Sequence, residues 1–463
     1  MPHLTYFDAV DYPRMRADYP LGDALFQRFG RMSRDELFAL RDRRFRDCLA
    51  LGWRTPFYRR LWGAAGLEPG DVVGLADIER LPTYSKSDLM ASVARHPPFG
   101  DFNALESMAP EQRPPVVVQT TSGTTGRPQP LIFGAWTREV QNLLLARLYH
   151  MQGVRPDDVV HSVYGHGMIN GGHYIREAVI HWTGARLLSA GTGVETRSAT
   201  QVELMRDFGV TVLAGFGDYV RRLADVAREQ GIEPGRDIRL RLISGHVGSE
   251  GPGPLSAAWG GVDVFDWYGV GDTGAIAGQG QDRDGLYVME DAHVVELIDP
   301  DTGAAVSGRG AMCVTCLFTH DVFPIIRFNT YDVSEYLDGE GAIGLPFRRL
   351  RGFLGRADNM VKLRGINVFP TAIGAVLAEG GASGDYLCRV RAVGGRDEMT
   401  VLVETRDMDA GVAVALADLL RRRLGVEVGV ELHPPGALAP LTGIETRQKP
   451  IRLVDERTAP GRA

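Results

Sequence analysis

Apolar residues recur along this chain with two different periods, and the points where the period changes divide it into regions. Between residues 33 and 66, Leu37, Leu40, Phe45 and Leu49 fall three to five positions apart, the spacing of one helical face. Ser33 followed by Glu36 has the pattern of a capping box, so a helix is predicted over 33–66. From about residue 115 to 320, short apolar runs (PPVVVQ, DDVVHSVYG, ARLLSAG, VTVLAGF, RLRLISG, VDVFDWYG) alternate with stretches of helical period (TREVQNLLLARLYHMQG, DYVRRLADVAREQG). Strands that alternate with helices predict an α/β architecture, sheets covered by helices.

Between 286 and 336 the period of two dominates (LYVME, HVVELID, AMCVTCLF, IIRFNTYDVSEY), which predicts a smaller antiparallel or barrel-like piece. Beyond FLGRADNMVKLRGINVFP (353–370) the pattern becomes helix, strand, strand, helix, strand, an α+β module of about 100 residues. The expectation is a large N-terminal domain over 1–356, with helix-covered sheets and a barrel-like subdomain, and a small α+β domain over 357–463. At 463 residues, 44% of them hydrophobic, the chain exceeds what a single core usually supports.

Charge narrows the partners. A formal net charge of -7 argues against nucleic acid or an anionic membrane surface as the main partner. No apolar run reaches the roughly 18 residues a bilayer span needs, and MPHLTYFDAVDYPRM lacks the basic-then-apolar layout of a secretion signal. A cytoplasmic protein is expected. Cys48, Cys313, Cys316 and Cys388 form no disulfide framework, and Cys313-x-x-Cys316 lies in an alternating run without a second ligand pair, so both read as strand residues. Of 51 basic residues only Lys86, Lys362 and Lys449 are lysines. Where arginine is otherwise the rule, a lysine marks a place where a compact ammonium is wanted.

One stretch carries chemistry on its face. QTTSGTTGRPQP (119–130) packs five hydroxyls and two glycines between two apolar runs. Gly123 and Gly126 let the backbone approach a ligand, and Thr120, Thr121, Ser122, Thr124 and Thr125 offer donors beside free amides, a design suited to phosphate oxygens. Arg127 stands where a P-loop has its lysine, so this is a different phosphate loop, and its flanks predict that it closes a hairpin.

TTSGTTGRP resembles the phosphate loop of the adenylate-forming enzymes, which include acyl-CoA synthetases, peptide-synthetase adenylation domains and luciferases. Four further blocks resemble that family in order: WYGVGDTG (267–274), IIRFNTYDVSEY, GRADNMVKLRGINVFP and RQKPIRLVD. The phenylacetate-CoA ligase branch is matched most widely, also through PFYRRLWGAAGLEPGDVVGLADIERLPTYSKSDL, YGHGMINGG and VVELIDPDTG. The resemblance implies a carboxylic acid activated by ATP to an acyl-adenylate, then transferred to coenzyme A. It assigns Thr121, Ser122, Gly123, Thr124, Thr125 and Gly126 to the ATP phosphates, Tyr268 to adenine, Gly269 to ATP, Asp332 to the ribose and Arg356 to the nucleotide. Asp272 stands for the family's Mg²⁺-binding glutamate, one methylene shorter, and Lys449 for the lysine that neutralises charge on the carboxylate and α-phosphate. Asp358 maps to the hinge about which the C-terminal domain moves as a mobile lid. Lys362 and Arg364 serve either coenzyme A or local salt bridges. A homodimer is the branch's common state.

Three departures qualify the match. His246, in SGHVG, replaces the acid that contacts adenine in the branch. EYLDGEGAIGLPFRRLRG lacks the cysteines of the branch's zinc site, so no zinc is expected. The stretch after Gly172 differs in length, so His173 and Tyr174 do not carry over as the branch's pair. Tyr164, His166, Met168, Phe216 and Trp267 are the candidate acyl pocket, and their size and aromaticity favour a flat aromatic or cyclic acid. His166 equally fits a packing role. The leading expectation is an AMP-forming aryl- or arylacetyl-CoA ligase. An amide-bond synthetase or stand-alone adenylation enzyme, with an amine or carrier protein as acceptor, shares the first half-reaction. A non-catalytic relative is disfavoured by the joint presence of Lys449, Asp332 and the loop.

Overall fold

The helix predicted over 33–66 is two helices, Arg34–Arg54 and Pro56–Ala64. Pro56 lacks an amide hydrogen and disfavours helical backbone at the residue before it. Thr55 accordingly turns extended, at φ -88° and ψ 125°, and Pro56 starts the second helix. The capping box forms as expected: the Ser33 amide donates to Glu36 Oε2 at 2.8 Å and the Glu36 amide to Ser33 Oγ at 3.2 Å. Leu37, Phe45 and Leu49 are buried on one face.

This computed structural model describes residues 4–457 except 122–127, 248–250, 358–360, 365, 383, 394–395 and 448–449. The chain divides into two compact units. The first comprises Met1–Asp157, His166–Leu187 and Trp267–Phe353, and the second Asp158–Gly165, Leu188–Asp266 and Leu354–Ala463.

At the centre of the first unit lies the helix Ala135–Met151, buried on nearly every face although it carries Arg138, Glu139 and Arg147. Each charge is paired or hydrogen-bonded: Arg138 donates to Glu177 and Asn170, and Arg147 to Asp291 at 2.7 Å. Glu139 accepts from Trp182 Nε1 at 3.2 Å. Pairing is what makes such burial tolerable. The strand-rich region forms a three-stranded antiparallel sheet in the order His293–Ile298, Gly310–Cys316, Phe328–Ser334. Cys313 and Cys316 are buried residues of its central strand, as their alternating context predicts.

In the second unit the predicted strands Val159–Ser162, Val212–Ala214, Leu242–Gly245 and the first half of Asp263–Val270 run parallel. Helices Ser198–Asp207, Gly217–Glu229 and Pro252–Ala258 bury Met205, Leu223 and Leu255 in one cluster with Leu213, Ile243 and Val264. The C-terminal residues add a four-stranded sheet in the order Gly429–His433, Arg396–Glu404, Tyr386–Val393, Leu453–Asp455. Helices Ile373–Glu379 and Ala410–Leu424 pack on it, and Leu377, Val390, Val401, Leu416 and Leu420 close a separate core.

Candidate active site

The hydroxyl-rich loop closes a hairpin, as its flanks predict. Strand Val116–Thr120 pairs antiparallel with Pro130–Gly134, ending at Thr120 opposite Pro130. One more rung follows: the Thr121 amide donates to the Gln129 carbonyl at 3.0 Å, and the Gln129 amide to Thr121 Oγ1 at 3.1 Å. Of the predicted phosphate-binding residues, Thr121 is thus fixed at the loop's base. Ser122, Gly123, Thr124, Thr125 and Gly126 lie outside the described residues.

A second hairpin presents Asp272. WYGVGDTG folds as the end of strand Asp263–Val270, a turn over 271–273, and strand Gly274–Gly278. The ladder is irregular between Tyr268 and Gly269, and a Cβ at Gly269 would sit 2.3 Å from the Gly274 carbonyl oxygen, so only glycine permits so tight a return. Asp272 is buried, and its Oδ1 accepts from Gln129 Nε2 at 2.6 Å. Gln141 Nε2 holds the Asp272 carbonyl at 2.9 Å, and Asn170 Nδ2 the Gly271 carbonyl at 3.1 Å. Burial pushes the Asp272 carboxyl up to about 6, against the hydrogen bond from Gln129 and the positive charge of Lys86, which both pull it down.

Neither Gln129 nor Lys86 was assigned a role from sequence, although both left a signal. Gln129 is the last glutamine of QTTSGTTGRPQP, and Lys86 is one of three lysines. Lys86 is the first residue of helix Lys86–Arg95, whose start is fixed by a Ser85/Asp88 capping box. The Gln129 side chain is fully buried, and its Oε1 has no hydrogen-bond partner among the described residues. A buried carboxylate beside an orphaned amide oxygen is a set of hard donors, and Mg²⁺ is commonly held by one or two carboxylates together with substrate phosphates. The residues present therefore fit that ion.

Tyr268 and Asp332, assigned separately to adenine and ribose, are joined. The Tyr268 hydroxyl donates to Asp332 Oδ2 at 2.8 Å, and both residues are buried. Asp332 lies on strand Phe328–Ser334, and its amide donates to Thr330 Oγ1 at 3.1 Å. Asp332 Oδ2 thus fixes the tyrosine.

The candidate acyl residues separate. Tyr164 and Phe216 each lie two positions beyond the end of a parallel strand, and their rings meet at 5.0 Å between centroids. His246, one position beyond a third strand, completes the row, its ring 4.8 Å from that of Phe216. Carboxyl ends of parallel strands are where open α/β sheets take their ligands. His166, Met168 and Trp267 belong to the other unit. His166 packs edge-on against His173 at 5.4 Å, and the Met168 side chain is exposed while its carbonyl accepts from the Thr120 amide at 2.6 Å. Trp267 is buried in its strand opposite Gly278.

Arg356 is half-buried, whereas Asp358 and Lys449 lie outside the described residues. Of the two basic residues left open by sequence, Arg364 pairs with Glu427 at 3.7 Å.

Comparison with known proteins bears on the chain as a whole. Residues 365–457 match the model of the AMP-binding enzyme C-terminal domain. A phenylacetate-coenzyme A ligase of Thermus thermophilus is 30% identical over 438 residues, 88% of this chain and 94% of that protein. One from Aromatoleum evansii is 27% identical, covering 92% of this chain and 96% of its own length. Among solved structures, a 2-hydroxyisobutyryl-CoA ligase in its postadenylation state superposes with a TM-score of 0.82 at 26% identity, over 93% of this chain and 92% of that one. No helix among the described residues is long and apolar enough to cross a membrane.

Proposed function

This chain belongs to the phenylacetate-CoA ligase family and is an AMP-forming acid–CoA ligase, and we propose that its acid is an aromatic or arylacetic carboxylate. The observation that carries this reading is the row of Tyr164, Phe216 and His246 at the carboxyl ends of three parallel strands. Three flat rings at one end of a sheet offer dispersion and edge contacts to a planar acid and little to a flexible chain. The two named relatives act, by name, on phenylacetate, which supports the aryl class. The 2-hydroxyisobutyryl-CoA ligase makes a small branched acid the competing case.

In the first half-reaction an oxygen of the acid's carboxylate attacks the α-phosphorus of ATP, and pyrophosphate leaves with the bonding pair. In the second, the thiol of coenzyme A adds to the acyl carbon, loses its proton and expels AMP. The loop from Thr121 to Gly126 would cradle the β- and γ-phosphates with amides and hydroxyls. Tyr268 would face adenine with Gly269 beside it in the ATP site, and Asp332, already tied to Tyr268, would accept the ribose hydroxyls. Asp272 would hold Mg²⁺ with Gln129 beside it, and the ion when bound offsets the negative charge of the phosphates. Residues 357–463 would act as the lid, with Asp358 as hinge, Arg356 on the nucleotide and Lys449 delivering its ammonium to the reacting oxygens. The separate core of this segment supports its treatment as a domain.

The test is pyrophosphate release from ATP and Mg²⁺ across benzoic, arylacetic, cinnamic, indole-type and short aliphatic acids, with and without coenzyme A. Multiple turnover with an aromatic acid only when coenzyme A is present is the expected result. Turnover restricted to short branched acids refutes the aryl assignment, and turnover that needs an amine replaces the acceptor. In the same assay Lys449→Ala should abolish adenylation and retain transfer from preformed acyl-adenylate to coenzyme A.

A further inference from the structure

Two ion pairs tie Glu445 and Arg452 to one helix. Arg452 Nη2 meets Asp218 Oδ2 at 2.9 Å, and Arg222 Nε meets Glu445 Oε1 at 3.2 Å. Asp218 and Arg222 lie one turn apart at the start of helix Gly217–Glu229, directly after Phe216 of the aromatic row. Glu445 and Arg452 flank Lys449 in sequence on either side. A third contact involves no charge: a Cβ on Gly193 would stand 2.9 Å from the Glu445 carbonyl oxygen, so the backbone at 445 lies against a bare glycine.

The partners of Arg452 are unequal in kind. Its side chain is nine-tenths buried, and besides Asp218 it bonds Asp385, donates to the Tyr386 carbonyl at 2.7 Å and lies 4.2 Å from the Tyr386 ring centroid. Asp385 also accepts from Thr442, so it belongs to the C-terminal module's own fabric. Asp218 belongs to the parallel-sheet region. Removing the sole partner of a buried arginine would strand a charge, at a cost that forbids movement. Here Asp385 and Tyr386 keep Arg452 satisfied when Asp218 is withdrawn, so contact with Asp218 can be made and broken at modest cost.

We propose that Asp218 is a positioning residue for adenylation: with Arg222 and Gly193 it latches Glu445 and Arg452, the described residues on either side of Lys449 in sequence, to the helix that follows Phe216, while Asp385 holds Arg452 when the latch opens. The proposal rests on the adenylate-forming reading with residues 357–463 as a lid. It predicts that the latch favours the first half-reaction and must be released for the second.

The test separates the two half-reactions. Asp218→Asn keeps the shape and removes the charge. It should slow single-turnover formation of acyl-adenylate about tenfold, the size of a typical coupling between two states. Transfer from supplied acyl-adenylate to coenzyme A should stay at the parent rate or rise, and Asp218→Glu should restore part of the loss. Gly193→Ala, which wedges the same contact without touching a charge, should give the same split. Equal losses in both half-reactions would show a merely structural role and overturn the latch, as would parent rates in both variants. Those results leave the function reading intact, because the parent still adenylates. A parent that forms no adenylate with any acid overturns that reading and the latch with it.

Discussion

Replacing Asp272 by asparagine should stabilise the metal-free protein at neutral pH while abolishing most of its adenylation. Burial raises this carboxyl from 3.8 to about 6. The folded state therefore holds the proton more tightly than the unfolded chain. Below the unfolded value both states are protonated and the group is neutral in its effect. As pH climbs towards 6 the unfolded chain ionises first and stability falls, and above 6 the loss is complete. A shift of about two units corresponds to roughly 3 kcal/mol at pH 7.5 and to about 1 kcal/mol at pH 4.5. Asparagine keeps the Oδ1 acceptor for Gln129 Nε2 and has no charge to desolvate. Its new amide donor, if unpaired, returns about 1 kcal/mol.

The net expectation is a gain of about 2 kcal/mol at pH 7.5 and about none at pH 4.5. With roughly 2.1 cal/mol/K of unfolding entropy per residue, that amounts to about 2 °C in the thermal midpoint of a chain this long. Differential scanning fluorimetry with a chelator present, parent against variant from pH 4.5 to 8, reads the difference directly. Adenylation by the variant should fall by about 10²-fold or more, the usual loss when one preorganised electrostatic contact is removed. A midpoint difference that does not change with pH, or a variant less stable at pH 7.5 than at 4.5, refutes the account of Asp272 as an ionised group held at a cost. Gain of stability together with loss of activity is the expected signature of a site kept for chemistry.

Further outcomes follow from the same geometry. Lys86→Met removes a charge that lowers the Asp272 carboxyl, so the acid limb of kcat/KM for ATP should move upward from about 6; an unmoved limb refutes the coupling. Tyr268→Phe deletes the donor to Asp332 and should raise KM for ATP about five- to tenfold with kcat nearly unchanged, whereas a purely kcat effect would place the pair elsewhere. Cys48, Cys313, Cys316 and Cys388 are all buried, and burial raises the thiols of Cys48 and Cys388 to about 12 and the other two well above the ordinary value. Ellman's reagent should therefore titrate none of them in the native protein and all on denaturation; a fast native thiol contradicts the fold around it.

What the sequence revealed divides along physical lines. Strands such as 212–214 and 242–245 were legible because short apolar runs bounded by turn residues have few other uses. The break at Thr55–Pro56 was missed because the apolar face runs straight through it, and only the rule on prolines would have stopped the helix. Asp272, Tyr268 and Asp332 could be named from local blocks, since each sits in a turn or strand whose neighbours are themselves distinctive. The bond between Tyr268 and Asp332 spans 64 residues and no local pattern encodes it. Gln129 and Lys86 were hidden for the same reason, because their importance lies in reaching a carboxylate that is more than a hundred positions away.

The two substitutions that depart from the branch's pattern have different physical consequences. At 272 the chain keeps a carboxylate, and Gln129 from the neighbouring hairpin holds it by donating to Oδ1 at 2.6 Å. At 246 an aromatic ring stands where the resemblance implies an acid, and that ring lies tilted by 41° against Phe216, 4.8 Å between centroids, in the row with Tyr164. A carboxylate cannot contribute a flat apolar face, and an imidazole can. Under the proposed function, the change at 246 would withdraw a charge from the nucleotide and add a wall to the side where the acid would lie. Under that reading the first position would still offer a carboxylate to a cation, and the second would bear on which acid is taken.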